Sequence, residues 1–453
     1  MKTLLTGNIA PALRLKMLFF FLAGASFTVN AQNKWTLREC IDYAVKNNIS
    51  VKQHELAVET SEQELSNSRN SRLPSLSADV GQNFNFGRSP SMATGIYEEN
   101  KSASTSFSLS SSMPVFTGMR IGSEIKSNRL NLMAATEGLK KAGEDLSMNI
   151  AQYYLEVLFR KEILKVTVEQ HTLTAKQTER TESMVLSESA PRSQLYDMKA
   201  QLAKDRLNIT NATNDLALSL LNLVQLLNLE KTEGFDIVEP ELQDSIISGQ
   251  LQSPDRIYET AVETRPQIKE AEYRLQSSEL GVKIAQSHYW PSVNLGMSYN
   301  NGFNYGFDAG VNNSSISGQW KNNRREAIGL NMNIPIFNRF QVHNSVKTAR
   351  LNLQNRVLEL ETVKLNLKKE IQQAHQSAVA AQTKYASTEE ACKAAAEAFT
   401  YVEERYGVGK ATVYELSEAQ AKLFSSRSEQ LQAKYEYLFR MKILDFYLGK
   451  EME

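Results

Sequence analysis

The chain has 453 residues and carries 51 Lys and Arg against 51 Asp and Glu, so it has no net charge. This balance, together with the lack of dense basic tracts in the sequence, argues against nucleic acid as a partner. The two cysteines, Cys40 and Cys392, have no metal-ligand spacing. We expect two free thiols, although the sequence alone does not exclude a disulfide between them.

The N-terminal segment has the features of a secretory signal peptide. Arg14 and Lys16 form a basic region, an apolar core covers residues 17–25, and residues 29–31 fit the small-residue cleavage rule. We therefore assign residues 1–31 to a signal peptide and expect an exported protein without a lipid anchor. No later apolar run reaches the length of a membrane-spanning helix, so a membrane crossing by the mature chain would require β-strands.

The mature chain is organised as a duplication of one layout: a helix, a β-hairpin and a long helical hairpin. We assign the first structural repeat to residues 32–229 and the second to residues 253–453. The acidic segment 230–252 between them is expected to be a linker or an equatorial module. The β-hairpins are predicted at about 75–116 and 291–337, and the helical hairpins at about 120–228 and 338–447.

Four prolines mark the ends of the predicted strands. Pro74 and Pro291 each precede a segment in which apolar residues alternate with Ser, Asn and Gly, the period of an extended strand. The return strands end in similar motifs that contain Pro114 and Pro335. These prolines are therefore expected at the junction between the strands and the long helices.

One face of each predicted hairpin is apolar and aromatic, whereas the other is small and polar. This pattern fits either a soluble sandwich or a transmembrane barrel, and strands of about ten residues favour the barrel. Four strands cannot close a barrel, since about eight are needed, so several copies would have to share one. The candidate lipid-facing residues are Phe84, Phe86, Phe107, Leu109, Tyr299, Phe303, Ile328 and Leu330.

The long helix of the second repeat is predicted from about Asn338 to Tyr406. Its apolar positions recur at steps of three and four, as in a coiled coil, and about 70 residues correspond to about 100 Å. Gly407 and Gly409 then supply a turn before a returning helix. The first repeat has a degraded copy of this tip, in which Ala190 and Pro191 replace the glycine.

The sequence offers no catalytic constellation. The five histidines are scattered, and no Ser/His/Asp or Cys/His arrangement stands out. The segment from Gly407 to Thr412 lacks the spacing of a phosphate-binding loop, and a helix precedes it where a strand is required. We therefore expect no cofactor, no metal and no enzymatic activity.

The duplicated layout resembles the TolC family of outer-membrane efflux and secretion channels. The resemblance covers essentially the whole mature chain and is carried by Pro114-Val115-Phe116, Pro335-Ile336-Phe337 and the tip from Tyr406 to Gln420. It implies a mainly α fold with a β-barrel part. It further implies a homotrimer in which each protomer gives four strands to one twelve-stranded barrel in outer-membrane lipid, above a periplasmic α-helical tunnel.

The resemblance also implies a gate at the second tip. Tyr406 matches a gating tyrosine, and Glu415 and Glu418 match carboxylates that line the constriction as acidic rings. The alternative is that both are solvated helix carboxylates. The basic residue that often holds the family's gate is replaced here by Ala411, although Lys410 is adjacent. The tip turns, with Gly407, Gly409, Lys410, Ala190 and Pro191, are expected to contact a periplasmic adaptor protein.

The function expected from this resemblance is a passive outer-membrane exit channel in a Gram-negative bacterium, with a large periplasmic portion. It would serve a tripartite efflux pump for small molecules, joined to an inner-membrane pump by the adaptor. Two alternatives stay open on the sequence: a duct for type I protein secretion, and an exported coiled-coil scaffold with a β-sandwich head. The exported substrate is not indicated.

Overall fold

The protein is described here by a computed structural model that covers residues 34–90, 95–229, 234–240, 251–307 and 313–450. The predicted signal peptide lies outside these residues. Among the helices of the described ranges, none combines the length and apolar character needed to cross a membrane. Cys40 and Cys392 are both free thiols.

The first repeat begins with a two-residue strand and two short helices, continues with a hairpin of long strands, and ends with a pair of long helices. Its elements are β1 (Lys34–Trp35), α1 (Leu37–Asn47), α2 (Ile49–Asn70), β2 (Ser75–Pro90), β3 (Tyr97–Phe116), α3 (Arg120–Leu186) and α4 (Arg192–Leu227). A two-residue strand β4 (Asp236–Ile237) follows and pairs in parallel with β1.

The second repeat has the same order. Its elements are α5 (Pro254–Thr264), α6 (Pro266–Ser287), β5 (Ser292–Gly306), α7 (Ile316–Asn322), β6 (Arg325–Asn333), α8 (Gln341–Gly407) and α9 (Val413–Tyr447). The helices α3 and α8 have 67 residues each, which corresponds to about 100 Å at 1.5 Å per residue. The predicted duplication of a helix, a β-hairpin and a long helical hairpin is confirmed.

Local signals in the sequence set several helix ends. Thr36 caps α1 in a capping box with Glu39, because each side chain binds the other residue's backbone N–H, at 3.2 and 2.8 Å. Asn48 caps α2, and Pro266 occupies the first turn of α6, where a missing N–H costs nothing. These breaks separate the short helices α1 and α5 from the longer helices α2 and α6.

The passage from strand to long helix uses left-handed backbone at the same place in both repeats. Gly118 and Met119 have φ of 62° and 68°, and Arg339 and Phe340 have φ of 54° and 60°. Glycine is required at the first of these positions, since a Cβ on Gly118 would lie 2.6 Å from the carbonyl oxygen of Ser287. Each long helix therefore starts at a sharp, fixed corner below the sheet.

The four long strands form one antiparallel sheet in the order β2-β3-β5-β6. The register places every predicted lipid-facing residue on the same face. For example, Leu109 lies opposite Ala78 on one side and Tyr299 on the other, and Ile328 lies opposite Met297. The opposite face carries most of the Ser, Asn and Gly residues, including a hydrogen-bonded pair of hydroxyls, Ser77 and Ser110, 2.8 Å apart. The edges of this sheet are β2 and β6.

The second hairpin departs from the sequence prediction at its end. Strand β6 stops at Asn333, short of the predicted end at Phe337. Pro335 has no N–H to give to a ladder, so the strand ends before it. Strand β3 instead includes Pro114, next to a register shift between Pro114 and Phe116 that accommodates the missing donor.

The connection between β5 and β6 contains the helix α7. Strand β5 extends past Asn300, where its pairing with β6 stops, so the backbone of Gly302, Asn304 and Gly306 needs other partners. Side-chain amides supply them: Gln319 binds both N and O of Asn304, at 2.7 and 2.8 Å. Asn323 binds the oxygen of Gly302, and Asn313 binds Gly306.

Three clusters of buried residues stand out among the described parts of the helices. One cluster sits where α1, α3 and α4 meet the β1–β4 pair, and a second lies where α5 and α6 pack on α8 and the end of α9. The third surrounds the tip of the second helical hairpin and contains Met198, Phe399, Tyr406, Val413 and Leu416. The tips are therefore packed structures.

Candidate functional site at the helical tips

The turn between α8 and α9 is closed by local hydrogen bonds. The N–H of Lys410 donates to the carbonyl oxygen of Arg405 at 2.8 Å, and Gly409 adopts a left-handed φ of 73°. This is the geometry in which glycine commonly ends a helix. The guanidinium of Arg405 also donates to the carbonyl oxygen of Lys410 at 2.9 Å, so the turn is braced from both sides.

Glu415 is engaged in the cap of α9. Its Oε2 accepts from the N–H and the hydroxyl of Thr412, at 2.7 and 3.0 Å, and its own N–H donates to the Thr412 hydroxyl. The backbone N–H of Thr412 is the largest cause that lowers the pKa of Glu415. Arg405 lies 3.8 Å from the other carboxylate oxygen. Glu415 thus has a structural role whether or not it also lines a constriction.

Glu418 lies one turn further along α9 and is exposed. Its carboxylate has no hydrogen bond or ion pair within the part of the chain that the structure describes. Of the two predicted ring carboxylates, Glu418 is therefore the one whose charge is not already engaged within the protomer.

The first tip has the same backbone geometry with different residues. Glu188 takes the left-handed position, with φ of 57°, and Pro191 is the N-cap of α4. From the sequence, Ala190 and Pro191 were expected in place of the glycine of the second tip. The structure corrects this: Glu188 corresponds to Gly409 and Pro191 to Thr412. Helix α3 ends at a fixed point before Glu188, and only the three-dimensional turn shows where that point lies.

This correspondence also changes the comparison of carboxylates. Counted from the two N-caps, Gln194 takes the place of Glu415, and Asp197 takes the place of Glu418. The first tip therefore has a carboxylate, Asp197, at the position that matches Glu418. Asp197 is exposed, like Glu418. Each tip thus presents one exposed carboxylate on the second turn of its returning helix.

Tyr406 joins the two hairpins. It is 3% exposed, and its hydroxyl lies 2.7 Å from the hydroxyl of Thr181 on α3. The Thr181 hydroxyl already donates to the carbonyl oxygen of Gln177 at 2.8 Å, so Tyr406 must be the donor of the pair. The tyrosine predicted as the gate is therefore buried and held by the other hairpin.

A second contact lies beside the first. The guanidinium of Arg180 donates to the carbonyl oxygen of Gly407 at 2.8 Å, and a Cβ on Gly407 would come within 3.0 Å of the same nitrogen. Gly407 is thus small enough to let the arginine reach the helix end. Arg180 and Thr181 were not singled out from the sequence, since neither the residue types nor their spacing distinguishes them.

A buried polar network lies two turns above these contacts. The Thr174 hydroxyl is 2.5 Å from a carboxylate oxygen of Asp205 and accepts from the side-chain amide of Gln420 at 2.9 Å. Gln201 donates to the other oxygen of Asp205 at 2.9 Å. Thr174, Asp205 and Gln420 are each at least 98% buried and come from α3, α4 and α9. Polar residues at seven-residue spacing, Thr174 and Thr181, are the one sequence signal that could have indicated this interface.

Higher along the helices, a concave groove of about 1400 Å³ runs between α2, α3, α6 and α8. Its lining includes side chains of both charges, among them the ion pairs Lys141–Asp145 and Arg274–Glu270. The hydrogen bond that Lys141 donates to Asp145 is the largest cause that raises the pKa of Lys141. The four helices thus present a concave face that carries charges of both signs.

The predicted lipid-facing residues differ in exposure. Phe84, Phe86, Leu109, Ile328 and Leu330 are exposed. The other three, Phe107, Tyr299 and Phe303, are partly covered. The reason is helix α7: its Trp320 ring lies 5.1 Å from that of Phe107. The four prolines lie at the ends of strands, with Pro74 and Pro291 just before β2 and β5, Pro114 within β3 and Pro335 beyond β6.

The chain matches the family described as outer membrane efflux protein over residues 40–229 and 257–450, which is most of its length. The chain belongs to this family. The resemblance to TolC-type channels seen in the sequence is thereby confirmed, and so is the outer-membrane location. Members of the family are channels, which agrees with the expectation of a protein that is not an enzyme.

Two curated relatives and one solved structure illustrate the likeness. The chain is 23% identical to the probable outer membrane lipoprotein SilC of Salmonella typhimurium over 71% of this chain and 65% of that one. It is 20% identical to the outer membrane protein TolC of Vibrio cholerae over 65% of each. These matches span slightly less than two thirds of the relatives' own length. A crystal structure of CusC superposes with a TM-score of 0.76 at 18% identity and covers 92% of both chains. The fold is therefore shared over nearly the whole molecule.

Proposed function

We propose that this outer membrane efflux family protein is a passive exit channel that carries small molecules from a tripartite pump across the outer membrane. The proposal rests on the different chemistry of the two faces of the sheet, together with the concave groove between the helices. The sheet has one mainly apolar and one mainly small polar face, and the helices below it line a concave groove of about 1400 Å³ that carries charges of both signs. A duct needs such an arrangement, with lipid outside and water inside.

We propose that the channel is a homotrimer. The edges β2 and β6 have no partner strand in the described protomer, and unpaired edges of long strands are strong sites for association. Three copies that pair β6 with the neighbour's β2 would close a barrel of twelve strands. On α8, Leu351, Leu358 and Leu365 are exposed at seven-residue spacing, which suits a coiled-coil contact with a neighbouring helix.

We further propose that the tips close the duct. Tyr406 would be the gating residue, and the exposed Glu418 and Asp197 would set the charge at the constriction. Threefold symmetry would bring six such carboxylates together, and their field would attract cations. The contacts Tyr406–Thr181 and Arg180–Gly407 would hold the closed state, because they join the hairpin α8–α9 to α3. Opening would require these two contacts to break.

The periplasmic adaptor and the inner-membrane pump remain proposed partners. The two tips expose large apolar side chains next to the turns that contain Ala190, Pro191, Gly407, Gly409 and Lys410. These side chains are Leu186, Tyr196, Val408 and Tyr414. A partner protein could bury them at the end of the duct. The two-residue strands β1 and β4 and the helices α1 and α5 would form an equatorial belt around the helices.

The alternatives differ in what supports them. The duct for type I secretion uses the same architecture, and only the identity of the pump separates it from efflux. The scaffold with a β-sandwich head has no support in the described residues, because the four long strands form a single sheet.

Reconstitution of the purified full-length protein into planar lipid bilayers tests the proposal. We expect trimers in detergent and discrete, cation-selective conductance. A monomeric protein that fractionates with the soluble periplasm would overturn the channel assignment. Crosslinking in intact cells, followed by identification of the inner-membrane partner, separates efflux from protein secretion: a drug or ion pump supports the proposal, and a peptide-exporting ATPase contradicts it.

A further inference from the structure

A groove of about 740 Å³ lies at the junction of sheet and helices, between the end of α6 and the first turns of α8. We call it the junction groove. The residues that matter for its chemistry are Tyr289, Trp290, His343, Val346, Lys347 and Arg350. It is distinct from the concave groove and from the tips described above, and neither the gate nor the duct uses it.

The charge of the junction groove is of one sign. Its lining contains His343, Lys347 and Arg350 but no acidic side chain. None of these three has an ion-pair or hydrogen-bond partner among the residues that the structure describes. The three lie at steps of four and three along α8, so they share one face of the helix. The groove therefore presents a concave positive surface backed by aromatic rings.

The junction groove lies on the side of α8 opposite the concave groove. Lys347 and Lys368 are three heptads apart and so lie on the same face of α8. Lys368 pairs with Asp255 and lies over the ring of Tyr258, both on the flanking helix α5. By contrast, Arg356 is two and a half turns from Lys347, on the opposite face, and lines the concave groove. The basic face therefore points away from the proposed duct.

The height of the junction groove matches the headgroup region of a membrane crossed by the sheet. Trp290 directly precedes Pro291 and the start of β5, and Lys347 lies only about 9 Å along α8 from its first residue. Around this level the surface is apolar and aromatic: Ile336, Phe337 and Trp290 are 95%, 73% and 63% exposed. Aromatic side chains beside basic ones are typical of the interface between lipid tails and water.

The duplication offers an internal comparison. When Pro114 is aligned with Pro335, Lys126 and Arg129 of α3 correspond to Lys347 and Arg350, and all four are exposed. The first repeat thus repeats the two cations. It does not repeat the aromatic wall, since Leu73 stands where the second repeat has Trp290. Variants of these two pairs of cations can therefore distinguish a general effect of charge near the membrane from binding in a shaped groove.

We propose that the junction groove binds the phosphate of a phospholipid headgroup in the periplasmic leaflet of the outer membrane. Lys347 and Arg350 bind the phosphate oxygens, His343 adds a donor from the first turn of α8, and Trp290 and Tyr289 pack against the glycerol and upper acyl chain. The bound lipid fixes the height of the protein in the membrane. The inference rests on the proposed function in one respect, the sheet that crosses the outer membrane above the duct, and it does not use the proposed gate.

Quenching of tryptophan fluorescence tests this binding. The chain has three tryptophans, so Trp35→Phe with Trp320→Phe leaves Trp290 as the only reporter. The full-length protein in detergent is titrated with phosphatidylglycerol brominated on its acyl chains. When Lys347→Gln and Arg350→Gln are added to this background, we expect the lipid concentration for half-quenching to rise about thirtyfold or more, as for the loss of two charge-assisted hydrogen bonds to a phosphate.

The matched control removes the same charges from the first repeat, through Lys126→Gln and Arg129→Gln. We expect its half-quenching concentration to stay within about threefold of the parent, because in the proposal these two cations do not bind the lipid phosphate. Equal losses in the two variants would overturn the proposal, because they would show a diffuse charge effect and no built site. Displacement of the lipid by inorganic phosphate would overturn it as well, in favour of a site for the free anion.

Two further arms keep the test decisive if the Gln variant does not fold. Exchange of the cations, Lys347→Arg with Arg350→Lys, is expected to preserve binding, and raised salt is expected to weaken binding to the parent protein. A half-quenching concentration that responds neither to salt nor to either variant would contradict the proposal. It would show that the lipid near Trp290 is held without the two cations. Conductance in planar bilayers, recorded on the same samples, reports the proposed channel function separately.

Discussion

The hydroxyl of Tyr406, in the last turn of α8, donates to the hydroxyl of Thr181 on α3 across 2.7 Å. These residues are 225 positions apart and belong to different repeats. The ring of Tyr406 is packed among Phe399, Val413 and Leu416 of its own hairpin. A single side chain thus completes the core of one tip and fastens it to the neighbouring hairpin.

The change Tyr406→Phe tests this contact, since it removes the hydroxyl and keeps the packed ring. The Thr181 hydroxyl retains its bond to Gln177, so the loss is that of one hydrogen bond, about 1 kcal/mol. We expect the closed state to weaken and the open fraction in planar bilayers to rise about fivefold. Tyr401→Phe, on the same helix but at an exposed position, serves as the control and is expected to leave the open fraction unchanged. An unchanged open fraction for Tyr406→Phe would show that this contact does not hold the gate.

The two carboxylates of the second tip are expected to respond differently to neutralisation. Glu418→Gln removes an unengaged charge and is expected to lower cation selectivity, measured as reversal potential in a salt gradient. Glu415→Gln weakens a capping box and is expected to loosen the start of α9, measured as faster amide hydrogen exchange at residues 413–416. If Glu415→Gln alone carried the loss of selectivity, the assignment of roles would be reversed.

Acidification provides a second test of the cap. The folded state lowers the pKa of Glu415, chiefly through the backbone N–H of Thr412. A lowered carboxyl pKa contributes stability that is present above the ordinary value of 4.5 and is lost as the pH falls through the folded value. We expect the first turn of α9 to be insensitive to pH between 6 and 8 and to loosen below about 4.5. The Thr36–Glu39 box of α1 has nearly the same distances and a lowered pKa of Glu39, so it should loosen in parallel.

The buried network of three helices is expected to be sensitive to loss of one hydroxyl. Thr174→Val keeps the shape of the side chain but leaves an oxygen of Asp205 and the amide of Gln420 without their partner. The expected cost is about 1–3 kcal/mol, seen as a lower midpoint for loss of helical circular dichroism. Asp215→Asn, which affects an exposed ion pair with Arg160 on the same hairpin, is the control and should cost less than about 1 kcal/mol. Equal losses of stability in Thr174→Val and Asp215→Asn would show that the buried network contributes no more than an exposed ion pair.

The faces of the sheet are tested by adjacent residues of β6. Leu330→Arg places a charge on the apolar face and is expected to cost about 2–4 kcal/mol if that face meets the middle of the bilayer. Insertion, measured as the heat-resistant trimer recovered with outer membranes, should fall sharply. Asn331→Arg places the same charge on the polar face and should insert normally but lower cation conductance. Equal insertion of the two variants would mean that the apolar face does not meet lipid.

Much of the fold follows from local sequence, because strand faces and helix caps depend on neighbouring residues. Alternation of side chains at period two fixes, within each of β2, β3, β5 and β6, which residues share a face before any pairing is known. The capping boxes at Thr36 and Thr412 are similarly local, since donor and acceptor are three residues apart. The duplicated order of elements, the long helices and the family resemblance were all available at this level.

Contacts between residues far apart in the sequence could not be predicted from it. Arg180 and Gly407 are 227 residues apart, and no periodicity brings them together. The place of Glu188 at the left-handed position of the first tip, and hence the match of Asp197 with Glu418, depends on where α3 ends in space. Strand β5 is longer than its partner β6, and the unpaired backbone of β5 is bound by the amides of Gln319 and Asn323, which lie in and next to α7. Sequence determined the elements and their faces, which are set by short-range geometry. Tertiary structure alone decided which polar groups meet across the hairpins, because those contacts depend on how helices of about 100 Å align with one another.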